Sequence, residues 1–155
     1  MGFYNAIEIS ASGMSAERLA MDVIANNIAN ANTTHTPQGG AFKRQLIVFA
    51  QKSAAPDEAN GTADENGGFD AGAAPKPSVD GVQALGIVDD QSPDRLVFDP
   101  GNPDADARGY VHYPNVQVVT EMVDMMAASR AYEANVAVVQ ETKSMESASV
   151  GLLSS

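Results

Sequence analysis

The side chains in this sequence with chemistry to offer are few and scattered. There are two histidines, His35 and His112, and neither stands near an acid and a nucleophile in the chain. A general base needs both a group to deprotonate and a partner that orients it, and the spacing offers neither. The HExxH pattern is absent. With no cysteine in the chain, thiolate metal sites and disulfides are excluded. No glycine-rich phosphate loop or nucleophile elbow is present. Asp104, Asp106 and Gly109 come nearest to a metal site, at spacings like those of a calcium loop. Arg108 holds the place of a third ligand and no glutamate follows at the bidentate position, so a turn capped by Asn and Asp side chains is the better account. Asn32-Thr33-Thr34 matches a glycosylation pattern, a three-residue motif of low specificity. The sequence therefore points to no catalytic residue, no cofactor and no metal.

The side chains that do recur in a pattern belong to two long segments at the ends of the chain. In residues 5–32, Ile7, Met14, Met21 and Ile28 repeat every seven residues, with Ala11, Ile24 and Ala25 beside them. Glu8, Glu17, Arg18 and Asp22 fall between. This spacing predicts an amphipathic helix. A second helix is predicted over 116–147, where Val118, Met122, Met125, Ser129, Tyr132, Val136, Val139 and Lys143 alternate by four and three. Alanines at 127, 128, 131, 134 and 137 keep its flanks slim. Ser147–Ser155 reads as a frayed end. Each long helix needs a partner along its length, and each is the other's obvious one.

Ser10, Ser12 and Gly13 are poor helix formers in the first segment. They mark either a tolerated flaw or a place where a neighbouring helix comes close. Asn26, Asn27, Asn30 and Asn32 cluster at that helix's end. Asparagine suits a helix terminus, but four in seven residues exceed what capping needs. Two readings stay open: a frayed end, or side-chain amides that hydrogen-bond to other chains.

Thr33–Gly40 is a loop. Residues 42–50, 82–89, 95–98 and 110–113 read as short strands, a small antiparallel β unit. Residues 52–81 hold Phe69 and Val79 as their only large apolar side chains and cannot offset their own ordering entropy, so they read as a flexible loop or insertion. The expected fold is α+β: an antiparallel, coiled-coil-like hairpin of the terminal helices, with the β unit and flexible loop between. The expected parts are 1–35, 36–114 and 115–155.

The formal charge is −11, and twelve of the twenty acids lie in 51–114. Nucleic acid and anionic membranes call for basic patches and are disfavoured as partners. No run of about 18 apolar residues exists to span a membrane. No basic region followed by an apolar core marks a Sec-type signal; by itself that suggests a cytoplasmic protein. Aromatic residues make up 6% and tryptophan is absent, so the buried surface should be helix seams rather than a large core. Seams this long outrun what one small chain can cover, which favours assembly with other subunits.

ISASGMSAERLAMDVIANNIANANTTHTPQGGAFKRQ (9–45) and DPGNPDADARGYVHYPNVQVVTEMVDMMAASRAYEANV (99–136) resemble the terminal segments of the bacterial flagellar axial proteins, the rod and hook family. Together they cover about half of the chain. NTTHTPQGG with FKRQ, and GYVHYPNV before the last helix, are similar to the proximal-rod branch. The resemblance implies a structural subunit whose terminal helices pack with other rod proteins and copies of itself into a periplasm-spanning tube. It also implies export through the flagellar type III apparatus, which replaces the cytoplasmic expectation. Phe3 and Ile7, spaced FxxxI, match the export-gate element of related substrates. The length-variable region at 52–81 and the charge-poor tail ESASVGLLSS depart from the pattern. Two other readings stand beside this one: a soluble helical adaptor that does not polymerise, and a small hydrolase or metal-dependent enzyme built on the β unit.

Overall fold

The computed structural model describes residues 2–52 and 81–153; the segment expected to be flexible, 52–81, falls almost wholly outside the described residues. Two helices form the frame. α1 (Gly2–Ala29) has 28 residues and α2 (Val118–Leu153) has 36, about 42 and 54 Å at ~1.5 Å per residue. They pack against each other as an antiparallel pair, and this is the largest contact between elements. The α+β hairpin expected from the sequence is present.

The pairing register is fixed at two points. A side chain added at Gly13 would meet the Asn135 amide at 2.9 Å, and Asn27 reaches Glu121 at 3.0 Å. Both intervals, Gly13 to Asn27 and Glu121 to Asn135, span fourteen residues. That is two heptads with no slip, as knobs-into-holes packing requires. The Gly13 question is thereby answered in favour of close approach: the glycine makes room for Asn135.

The β segments form two separate ribbons rather than one sheet. β1 (Gln45–Gln51) pairs antiparallel with β2 (Val82–Asp89), with a bulge between Val48 and Phe49. β3 (Arg95–Phe98) pairs antiparallel with β4 (Tyr110–Tyr113). Residues 42–44, expected to be part of the strand, precede β1; the Arg44 amide goes to the Asn115 side chain and not to a strand partner. The first ribbon leans on α1. Its approach is set by Gly81, whose φ of +91° is glycine's region. Gly81 sits flush on Ser12, and the Ser12 hydroxyl accepts the Val82 amide at 3.1 Å while donating to the Ile9 carbonyl at 2.7 Å. Lys52 N donates to the Gly81 carbonyl across the ribbon's base. The weak helix formers at 10–13 thus serve two close approaches at once.

α2 continues to Leu153 instead of fraying at Ser147. Ser144, Ser147 and Ser149 each donate a hydroxyl hydrogen bond back to a carbonyl three or four residues earlier, at 2.8 Å. These bonds all run within the helix and tie its serines to the turn before.

Candidate assembly surface

The seam between the helices is lined by small and polar side chains. On α1 the buried residues are Ser10, Ala16, Val23 and Asn27; on α2 they are Glu121, Ala128 and Thr142. On α2, Glu121, Met125, Ala128, Tyr132, Asn135, Val139 and Thr142 follow one another by three and four, and all are buried or half-buried. Met125, Tyr132 and Val139, expected on the seam, are half-buried. Val136 is half-buried on its flank. Val118 and Met122, expected on the seam or in assembly, are 41% and 55% exposed, and Glu121 is the buried residue of that turn. On α1, Ile7, Met14, Met21, Ile24 and Ile28 are all half-buried, while the fully buried positions are their smaller neighbours. The physical reason is shared. Small side chains let two backbones approach closely, and the large apolar ones are displaced outward.

One result is an apolar strip on the outside of α2. Val119, Met122, Val123 and Met126 recur at helical spacing and are each more than half exposed, Val119 at 76%. The ribbons also turn apolar faces outward. Leu46 and Val88 lie opposite each other on the first ribbon, and Leu96, Phe98 and Tyr110 share a face on the second. Phe98 and Tyr110 meet edge to face at 5.2 Å. Two-stranded ribbons are marginal alone in water. Large exposed apolar area on a chain this acidic marks surfaces meant for other molecules.

The asparagines are mostly occupied within the chain. Asn27 is 1% exposed. Its amide acts like a neighbouring strand, accepting from Gln45 N and donating to the Gln45 carbonyl, both at 2.9 Å. Its NH2 also donates to Glu121 Oε2 at 3.0 Å. The expected contact of Asn27 with other chains is corrected: it is consumed in holding the start of β1 to both helices. Asn26 donates to the Gln45 side chain, and Asn30 donates to the Asn26 carbonyl and side chain. Asn32 is exposed at the helix end.

Glu121, 1% exposed, is the centre of this cluster. Arg44 Nε donates to Glu121 Oε1 at 2.5 Å, Arg44 Nη2 reaches Asp124 at 3.4 Å, and Arg44 N donates to Asn115 Oδ1 at 2.9 Å. Each oxygen of the Glu121 carboxylate thus has a donor, as a buried carboxylate requires. Arg44, Asn115 and Glu121 hold the cluster together although none of the three stands out by type in the sequence. The available signal was Glu121 itself, an acid in phase with Met125, Ala128 and Tyr132.

Beside the cluster, at the head of the hairpin, lies an open groove of about 770 Å³. Asn32, Pro93, Arg95, Pro114, Val118 and Val119 are among its walls. Arg95 lies over the Tyr113 ring at 5.2 Å. A smaller hollow of about 160 Å³ lies under β1, lined in part by Ile24, Ile47 and Phe49.

The residues first considered for chemistry are put to other uses. His112 Nδ1 is 3.6 Å from Asp94, which also holds Lys43. Asp104 accepts the Thr34 hydroxyl, and Asp106 accepts the backbone amides of Arg108 and Tyr110. Ser92 donates its hydroxyl and amide to Asp90 and holds that carboxyl below its ordinary range. Among the described residues no group of three or more metal-ligating side chains is placed to hold an ion. No described helix is long and apolar enough to cross a membrane. Phe3 lies in α1 one turn before Ile7.

Comparison with known proteins gives consistent matches. Residues 7–34 match the family model "Flagella basal body rod protein", and residues 107–152 match "Flagellar basal body rod FlgEFG protein C-terminal". The chain is 41% identical to the flagellar basal-body rod protein FlgC of Borreliella burgdorferi, covering 99% of each chain. It is 40% identical to FlgC of Escherichia coli O6:H1, over 94% of this chain and 93% of the relative. To FlgC of Bacillus subtilis it is 35% identical, over 94% of both.

Proposed function

The chain belongs to the flagellar basal-body rod protein family represented by FlgC, and on that premise we propose that it works as a polymerising subunit of the proximal rod. The observation that carries the mechanism is the arrangement of the helices: small and polar residues inside the seam, Val119, Met122, Val123 and Met126 outside it. Covering a large apolar side chain contributes about 1.5–3 kcal/mol. Four of them on one strip supply a contact to neighbouring rod proteins or copies of the same chain, and many such contacts in parallel carry torque.

The division of labour follows the elements. Residues 1–35 and 115–155 form the tube-building part, and 36–114 the outer part. Export runs through the flagellar type III apparatus, with Phe3 and Ile7 as the export-gate element, and the assembled protein crosses the periplasm. The role is structural and not enzymatic, without cofactor, nucleic acid or insertion into a membrane.

The test replaces Val119 and Met122 with glutamate in the intact bacterium. Both side chains are exposed, so the free chain should keep its helical spectrum. It should still be exported yet be missing from purified basal bodies, and the cells should not swim. Normal incorporation of the double variant would sink the reading.

A further inference from the structure

Cysteine and tryptophan are absent from the chain, so its seven methionines are the side chains a mild oxidant attacks first. A thioether has no proton to lose, and access to the sulfur sets how fast it reacts. Met14, Met21 and Met125 are half-buried. Met122 and Met126 are each 55% exposed, and Met145 is 46% exposed. Met122 and Met126 stand four residues apart on α2, so their side chains lie one turn apart on one face of the helix. Val119 and Val123 complete that exposed strip. Met145 lies about five turns farther along α2, outside it. Hydrogen peroxide is uncharged, so the net charge of −11 does not keep it from the surface.

We propose that Met122 and Met126 form an oxidation site through which hydrogen peroxide withdraws a free subunit from assembly. The proposal rests on the reading of the chain as a rod subunit with this strip as a contact face, and adds a chemical control on that face. At each residue a sulfur lone pair attacks one oxygen of the peroxide. The O–O bond breaks, an S–O bond forms, and the second oxygen leaves as water after taking the proton of the first. Sulfur gives up two electrons and the peroxide takes them, so the products are one sulfoxide and one water. The sulfoxide oxygen is a hydrogen-bond acceptor, and covering it without a donor is costly. Oxidation thus turns a flexible apolar side chain into a polar one, at two points in the middle of the strip. Both sulfurs belong to exposed side chains, so the helix pair keeps its fold. Once a neighbour covers the strip the sulfurs are shielded, and the sensitivity belongs to the free chain.

Purified full-length chain, kept dilute, is treated with hydrogen peroxide, and each methionine is followed by peptide mass spectrometry. Met122 and Met126 should gain oxygen several-fold faster than Met14, Met21 and Met125, with the helical spectrum unchanged. Equal rates at all five positions overturn the site. Cells building flagella are then given a sublethal dose of hydrogen peroxide. Sulfoxide fractions are compared between purified basal bodies and the unassembled chain of the periplasmic fraction. Sulfoxide at Met122 and Met126 should be several-fold lower in the basal bodies, while at Met145 the two fractions should agree. Equal fractions at Met122 and Met126, or the same depletion at Met145, overturn the proposal and leave the rod reading standing. A chain missing from basal bodies of untreated cells overturns the rod reading, and the proposal with it.

Discussion

Asn27 donates a 3.0 Å hydrogen bond to Glu121 across the helix pair, and both side chains are 1% exposed. The contact joins α1, α2 and β1 at one buried point, because Asn27 also exchanges two hydrogen bonds with Gln45 and Glu121 also takes Arg44. Among the described residues, the other large side chains below 2% exposure are Val111 and Pro114. A structure held this way should be firm at the hairpin head and loose at its far end.

The first prediction is a gradient of amide exchange in the free chain. Protection should be highest at residues 23–28, 45–48 and 121–128 and fall toward 2–8 and 143–153. Local stability follows buried contacts, and exchange reads it directly. Equal protection along both helices would show that the polar cluster does not organise the pair. Covering the far end by assembly should raise its protection.

Glu121 should be the costliest single residue to truncate. Glu121→Ala leaves Arg44 without its main partner and Asn27 with a donor unmet. Breaking a fully buried pair costs about 3–5 kcal/mol. Arg44 keeps 23% of its side chain exposed, so a loss of about 2–3 kcal/mol is expected after solvent screening. Glu121→Gln keeps an acceptor for Arg44 and should lose less. The check is the loss of helical signal and of Asn27 side-chain protection, and a Glu121→Ala chain as stable as the parent contradicts the cluster's role.

Gly13 offers a prediction whose sign depends on a neighbour. In an exposed helix, Gly→Ala stabilises by about 1 kcal/mol. Here the new methyl would meet the Asn135 amide nitrogen at 2.9 Å and its carbon at 3.2 Å. Gly13→Ala alone should therefore be neutral or destabilising. In an Asn135→Ala background the same change should recover the ordinary gain, about 1 kcal/mol. A double-mutant cycle by thermal melting measures the coupling; zero coupling means the helices do not meet there.

These contrasts show what could be read in the sequence. The helices were legible because their spacing is long and regular, and the strands because β-branched residues stand between turn signals. The phase of the seam was harder. Val118 and Met122 look like seam residues by size, yet Glu121 is the buried one, because Arg44 pairs with its charge and Asn27 donates to it, from 77 and 94 residues away. Asn27 looked like an outward amide because its partner Gln45 becomes its neighbour only when the chain turns back. Periodicity reports which faces differ. It does not report which polar side chain has found a distant partner.

Gly81→Ala should disturb the base of the first ribbon more than any nearby change. Its φ of +91° disfavours a side chain, and a methyl there would run into the Ser12 hydroxyl. A left-handed conformation costs a non-glycine residue about 1–2 kcal/mol, and the clash adds to it. Loss of Val82 amide protection, with β3 and β4 unchanged, is the expected signature. Ser12→Ala removes the hydroxyl, which is both the nearest obstacle and the acceptor for Val82, so it should ease the clash to the 3.1 Å contact with the remaining Cβ without restoring that protection. Full restoration would mean the hydroxyl obstructs but does not anchor.

The loop from Asp99 to Gly109 should respond to acid through Asp106. Its carboxylate accepts the Tyr110 amide at 2.9 Å and the Arg108 amide at 2.8 Å. The Tyr110 hydrogen bond is the main reason its pKa lies below the ordinary 3.8, and desolvation opposes the shift. A carboxyl depressed in the folded state stabilises fully above its unfolded pKa, and that contribution is lost as pH falls through the folded value. The loop should thus be unaffected from neutral pH down to about 4 and should loosen only below 3.8. NMR titration of the Asp106 carboxyl carbon, with the Tyr110 amide followed alongside, should give one shared midpoint under 3.8. In Asp106→Asn the Tyr110 amide should lose that pH dependence while keeping its hydrogen bond, because the asparagine carbonyl still accepts. A Tyr110 amide that titrates unchanged in the variant would place the acid response on another group.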